Sequence, residues 1–324
     1  MDAHAEAPRA ALQRGQQVRV RSAAEILATL DGDGRLEGLP FMPEMLQWCG
    51  ETLEVGARAD KTCDPARFPG LRRMTDTVHL RDLRCDGSAH GGCQAGCLLF
   101  WKEEWLAESL TAPDPNLATE GQLAELKATA HRALPDCERY FCQATELAAA
   151  SSPLPWWEAS QYVRDVRTGN VGPLGLVYGL LVFFFNKYQG LSKRVLPRRL
   201  RIRGGRWYPF VTGTQANTPR ESLDLQPGEL VEVKSRAEIL ATLDARGRNR
   251  GLSYDAEMLP YCGRQFQVLR RVERIIDEKT GRMLTLPRDC IILTGVTCQS
   301  IYHRFCPRAI YPYWREIWLR RVQR

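Results

Sequence analysis

One stretch of this sequence occurs twice, so the chain is built from two like units, and that constrains its fold more than any other feature. Val18–Asp31 reads VRVRSAAEILATLD, and Val231–Asp244 reads VEVKSRAEILATLD. The offset of 213 positions holds without a gap from Val18–Arg58 to Val231–Arg271, with about half the residues identical. The shared positions include Gly34/Gly247, Gly38/Gly251, Glu44/Glu257, Met45/Met258, Cys49/Cys262 and Gly50/Gly263. After a diverged stretch the match resumes at the same offset. Cys85–Leu106 and Cys298–Leu319 agree at seven of 22 positions: Cys85/Cys298, His90/His303, Cys93/Cys306, Trp101/Trp314, Glu103/Glu316, Trp105/Trp318 and Leu106/Leu319. Two cysteines and a histidine stay fixed where most of their neighbours changed.

The organisation that follows is a disordered tail over 1–17, a first copy over 18–110, a mostly helical insert over 111–228 and a second copy over 229–324. Each copy opens with alternating apolar residues (Val18, Val20; Val231, Val233), which is strand periodicity. Ser22 with Glu25 three positions on forms a capping-box pattern, predicting a helix over Ala23–Leu30. Glu51–Arg58, Arg264–Arg271, Thr77–Leu83 and Cys290–Val296 read as strands, and Trp101–Trp105 and Trp314–Trp318 as a strand or short helix. In the insert, Glu120–Leu134 and Glu138–Ala150 have helical spacing, broken at Pro135. The run VGPLGLVYGLLVFFF (Val171–Phe185) is shorter than the roughly 20 residues of a membrane span. It reads as a buried core helix, with a membrane-surface contact as the lesser alternative.

The openings GQQVRVRS and GELVEVKS resemble the first strand of SH3-like barrels of the KOW type. The likeness covers about eight residues per copy, and it implies an α+β chain of two small barrel-like units separated by the helical insert. The whole repeat also resembles an uncharacterised bacterial family of hypothetical proteins, a likeness that implies no particular activity.

Of the 324 residues, 44% are apolar and 26% charged, which excludes a disordered, collagen-like or coiled-coil chain. The first residues contain no apolar stretch of the secretory type, so a cytoplasmic location is expected. Eleven cysteines, an odd number, then point to reduced thiols rather than a disulfide framework. Cys63, Cys137, Cys142 and Cys290 read as small buried hydrophobes.

The duplicated thiols and imidazoles suggest metal. Cys49, Cys85, His90 and Cys93 in the first copy are matched by Cys262, Cys298, His303 and Cys306, and three Cys with one His is the donor set of a closed structural zinc site. Cys-x4-His-x2-Cys holds three donors within nine residues. Cys97, present in the first copy only, could stand in for Cys49. Zinc is the expected ion, with iron as competitor. Heme is disfavoured, because only Phe305-Cys306-Pro307 resembles a Cys-Pro heme-regulatory motif. A Cys with a nearby His (Cys93/His90 or Cys306/His303) is also the minimum for nucleophilic catalysis, but the sequence names no orienting third group. Glu103 and Glu316 are duplicated acids available as a base; beside Lys102 and Arg315 they read more simply as surface charges.

Lys193, Arg194, Arg198, Arg199, Arg201, Arg203 and Arg206 carry +7 with no acid between them, equal to the net charge of the whole chain. Such local basicity marks a polyanion or protein partner, with Trp207, Tyr208 and Phe210 available to stack. The remaining Trp residues read as core or interface anchors. The expected function is a metal-stapled duplicated binding or scaffold protein that engages a polyanion or protein through the insert. The alternative is a metal- or thiol-dependent enzyme of a small-molecule or polysaccharide biosynthetic pathway, with its site between the copies.

Overall fold

The computed structural model describes residues 11–64, 70–108, 118–286 and 290–322. Helices and several antiparallel sheets make a mixed α+β molecule. Strands β1 (Gln17–Val20), β2 (Thr52–Arg58), β3 (Thr77–Leu80), β4 (Trp101–Lys102) and β5 (Leu106–Ala107) form a five-stranded sheet in the order β4-β3-β2-β1-β5. Strands β6 (Leu230–Val233), β7 (Gln265–Arg271), β8 (Cys290–Leu293), β9 (Trp314–Arg315) and β10 (Leu319–Arg321) form another, ordered β9-β8-β7-β6-β10. The register slips at matching points, between Val55 and Ala57 and between Val268 and Arg270. In each sheet the last two strands are joined by one 3₁₀ turn, Glu103–Trp105 or Glu316–Trp318.

Local chemistry explains these elements. The Ser22 hydroxyl accepts from Glu25 N, and the Glu25 carboxylate accepts from Ser22 N at 2.8 Å, starting helix α1 (Ala23–Leu27). Ser235 and Glu238 repeat the arrangement at a second short helix, Arg236–Ala241. Both helices end earlier than the apolar spacing suggests, in a turn closed by an Asp31 or Asp244 side chain that accepts backbone N–H groups. Each sheet packs on a separate core. Phe41 meets Trp105 edge-on with centroids 5.2 Å apart, and Tyr254 meets Trp318 at 5.1 Å. The Trp105 and Trp318 indoles donate to Thr29 and Thr242 hydroxyls, so these Trp are core anchors, as expected.

The insert departs from the expected helices. Helix α2 covers Glu120–Thr129, but His131–Leu134 pairs with Cys137–Tyr140 as a hairpin, and turns lead on to Ala150. Pro135-Asp136 supplies a two-residue loop, and Tyr140 N donates to Gly281 O of the second copy, so tertiary pairing overrides helical spacing. Helix α3 is Ser160–Arg167, and helix α4 is Pro173–Val195. The apolar run is helical but not a buried core helix: Leu174, Val177, Leu181 and Phe184 are exposed. Residues 1–10 of the expected disordered tail lie outside the described residues. Its later part is packed, with Leu12 buried and its carbonyl accepting from Arg58 Nη1.

Candidate metal centre and cleft

A short 3₁₀ turn in each copy (Pro43–Trp48, Ala256–Tyr261) delivers a buried glutamate beneath the Cys/His loop. In the first copy Glu44 Oε1 lies 3.0 Å from Cys85 Sγ and 2.8 Å from His90 Nδ1. His90 Nε2 lies 3.1 Å from the Phe141 carbonyl. A carbonyl only accepts, so Nε2 carries a proton and Nδ1 is turned toward the acid and thiol. Glu44 Oε2 is buried with no hydrogen-bond partner among the described residues. Burial pushes the Glu44 carboxyl up, but His90 and Cys85 outweigh it and hold it below the usual carboxylate value. Burial and the neighbouring carboxylate drive the Cys85 thiol upward. A buried acid, thiol and imidazole converging on one point call for positive charge there. These donors lie within 4.8 Å of one another, as do Glu257, Cys298 and His303 in the second copy, and either cluster could hold a metal ion.

The second cluster is wired differently. Cys298 Sγ lies 3.5 Å from His303 Nδ1, and His303 Nε2 lies 3.2 Å from Asp255 Oδ2. Burial pulls His303 down, but Asp255 and Cys298 outweigh it and push its pKa up to about 11. Glu257 accepts from Tyr302 N at 2.6 Å, and burial raises its pKa. Asp255 is a third polar group at this pair that the sequence did not reveal. Its counterpart in the first copy is Met42, so a search for duplicated residues passes over it. The duplication marks Glu44 and Glu257 as well, but a ligand set confined to thiols and imidazoles passes over them.

The other predicted ligands lie elsewhere. Cys49 packs on the first core, where burial pushes its thiol up to about 11. Cys262 Sγ is 3.2 Å from the Tyr254 hydroxyl. Cys93 Sγ accepts from Ile276 N at 3.4 Å, and Cys97 is a buried thiol whose carbonyl accepts from Cys85 N. Cys306 is buried and accepts from Cys63 N at 3.0 Å, which leaves it no open face for heme. Glu103 and Glu316 are engaged in matching ion pairs. Arg58 donates to Glu103, and Arg271 Nη1 to Glu316 Oε1 at 2.7 Å. Glu316 also accepts from Leu223 N at 2.7 Å and Leu225 N at 3.0 Å, so both acids brace the fold and neither is a surface charge or belongs to a metal cluster.

Both loops share an unusual backbone. Gly87, Gly91, Gly92 and Gly96 have positive φ in the first copy. Their counterparts Ser300, Arg304, Phe305 and Ala309 keep φ of +60°, +55°, +62° and +42°. Non-glycine residues rarely adopt this conformation, and it costs on the order of 1 kcal/mol each. The added side chains shape the surroundings: Phe305 packs on Gly179 of α4, and Arg304 lines a cleft of about 1130 Å³. His303, Asp255, Trp156, Phe183 and Lys187 also line it, with Lys193, Arg194 and Arg206 of the basic run on its wall. Of that run, Lys193, Arg194, Arg198, Arg199, Arg203 and Arg206 are exposed, and Arg201 is half-buried, donating to Leu196 O at 2.8 Å. Tyr208 and Phe210 pack edge-on against each other and against Phe185, so of the three aromatics expected to stack on a ligand only Trp207 is largely exposed. Comparison of the chain with protein-family models, with curated proteins and with solved structures finds no match in any of the three.

Proposed function

We propose that each cluster holds one divalent transition-metal ion, zinc by its donor chemistry, and that the protein acts on a ligand at the second. The carrying observation is the recurrence of one Glu/Cys/His set at equivalent positions, once closed and once facing the cleft. The donors fit: thiolate, imidazole and carboxylate suit zinc, and the orphaned Glu44 Oε2 gains a partner. In both copies the far ring nitrogen of the histidine meets an oxygen, the Phe141 carbonyl or the Asp255 carboxylate, the outer bond that orients a ligating imidazole. Glu44, Cys85 and His90 would form a structural staple. Glu257, Cys298 and His303 would leave a position open to the cleft, where the ion when bound supplies Lewis acidity toward a carbonyl or phosphoryl oxygen. Asp255 holds the His303 ring, and Arg304, Lys187 and Arg206 favour an anionic ligand with an apolar portion for the Trp156/Phe183 wall.

The plan of two copies around an insert, each sheet an SH3-like barrel, belongs to this reading. The strand order sets the first strand between the second and the last, and a single 3₁₀ turn links the last two. None of the eleven cysteines forms a disulfide, and a reducing, cytoplasmic setting is part of this proposal. Among the described residues no helix is long and apolar enough to cross a membrane.

A second reading is favoured by one observation: Cys298, His303 and Asp255 stand in nucleophile–base–orienter order. There the Cys298 proton would reside on His303, and the thiolate would add to the carbonyl carbon of a ligand, the C=O π pair moving to the oxygen. Elemental analysis separates the readings. Two equivalents of metal are expected in the wild type, one lost in Cys85→Ser and one in Cys298→Ser, with Cys93→Ser and Cys306→Ser unchanged. A metal-free wild type that is inactivated by thiol alkylation at Cys298 favours the second reading.

A further inference from the structure

Helix α4 is inside-out. Its protein-facing side carries mostly small and polar residues, with Gly179, Gln189 and Ser192 buried, Asn186 half-buried and Val182 as the one buried aliphatic residue of the helix. The Gln189 amide donates to Ile202 O and Arg206 O at 3.0 Å each, and Asn186 exchanges two hydrogen bonds with the Tyr208 backbone. Gly179 sits so close to Phe305 that a Cβ would lie 2.4 Å from the ring. The outward side carries Leu174, Val177, Leu181, Phe184, Leu191 and Val195, each more than half exposed. Spacings of three, four and seven residues line them along one face of a helix of 23 residues, roughly 34 Å long. A soluble helix buries its apolar stripe, and a contiguous stripe turned outward marks a surface that something covers.

Charge identifies the cover. From Val166 to Arg220 the chain contains no acid, while Arg167, Lys187, Arg220 and the seven basic residues of 193–206 lie within it. Trp157 is 71% exposed and Trp207 54%, with half-exposed Tyr178 and Tyr188 on the helix itself, the residues favoured at a lipid–water boundary. A second copy of this helix would bring the same positive charge and no counter-charge. Anionic headgroups supply the counter-charge, and acyl chains cover the stripe. We propose that α4 and the basic segment after it lie flat on an anionic membrane surface. The cleft, walled by α4, Trp157 and Trp207, then stands at that surface, so an amphipathic anion could enter it from the lipid.

The test is flotation of the full chain with vesicles of phosphatidylcholine alone or mixed with phosphatidylglycerol. Binding to the mixed vesicles, weakened by salt, with a blue shift of Trp emission, is expected. Leu181→Asp with Phe184→Asp is expected to abolish it without lowering the unfolding temperature, since both side chains are exposed. Neutralising Arg198, Arg199, Arg203 and Arg206 to Ser is expected to weaken it by a factor on the order of 1000. Retention on heparin or RNA without vesicle binding overturns the proposal in favour of a soluble polyanion. A dimer in light scattering that is lost in the Leu181/Phe184 variant, again without vesicle binding, overturns it in favour of a second copy. Vesicle binding that survives both sets of substitutions also overturns it. Metal content is read separately, so failure here leaves the metal reading standing.

Discussion

The first Glu/Cys/His cluster is sealed and the second is open, although both arise from the same residue types at the same spacing. The His90 side chain is 1% exposed against 15% for His303, whose partner Asp255 is 38% exposed, while Glu44 and Glu257 are both buried. The difference lies in what the insert does to each. After its hairpin it runs over the first copy, where Phe141 caps His90, the Gln143 amide bridges Pro40 O and Phe100 O, and Gly38 lies against Ala149. Over the second copy it passes as α4 and the Tyr208 segment, leaving a cleft between.

Four experiments break or sharpen this contrast, in order of expected effect. His90→Ala strips one member from a sealed, charged cluster and is expected to cost about 4 kcal/mol in denaturant unfolding, because Glu44 is left buried. His303→Ala, where water can reach the cluster, is expected to cost about 1 kcal/mol. Equal losses would erase the distinction between closed and open.

The ion pairs come next. Glu316→Ala, removing a carboxylate that is fully buried with five bonded donors, is expected to cost about 3 kcal/mol, against about 1 for Glu103→Ala. Burial raises the Glu316 carboxyl, but the Leu223 and Leu225 amides and Arg271 hold it below its ordinary 4.5. Its folded value is depressed, so its contribution is fully present above about pH 4.5 and falls away as acid takes the pH through the lower folded value. Acid unfolding of Glu316→Gln measures this: the substitution should flatten that limb and leave the neutral-pH slope alone.

Asp255→Met installs the first copy's residue in the second. It is expected to lower metal affinity there by about 10- to 100-fold while the first site keeps its ion, read by competition with a chelator. An unchanged affinity would remove Asp255 as the support of His303.

The smallest effects come from the loop backbone. Arg304→Gly relieves a positive φ and is expected to stabilise by up to about 1 kcal/mol while weakening anion binding in the cleft. Gly91→Ala is expected to destabilise by a comparable 1–2 kcal/mol, because its Cβ would meet the Tyr140 hydroxyl at 2.4 Å. If Arg304→Gly lowers stability, the loop is held by Arg304's contacts rather than strained by its conformation.

Local rules carried much of the fold. The Ser22/Glu25 capping box, the alternation at Val18 and Val20 and the aromatic pairs of 101–105 and 314–318 are short-range signals that survive in the structure. The hairpin at His131–Tyr140 was hidden because its pairing depends on Gly281, far away in sequence. Cys85, His90, Cys298 and His303 were legible because the chain compares itself with itself. Cys49, Cys93, Cys262 and Cys306 passed the same filter and lie outside the clusters, since a repeated position can be repeated for packing alone.

By itself the sequence determined the matching stretches at an offset of 213, the Cys/His pairs they contain and the isolated block of positive charge, because identity and charge need no coordinates. Only the tertiary structure decided that glutamates complete the clusters, that Asp255 braces one histidine and that α4 turns its apolar side outward. Each of these depends on which surfaces meet, and periodicity along a helix places residues on a face without saying which way that face points.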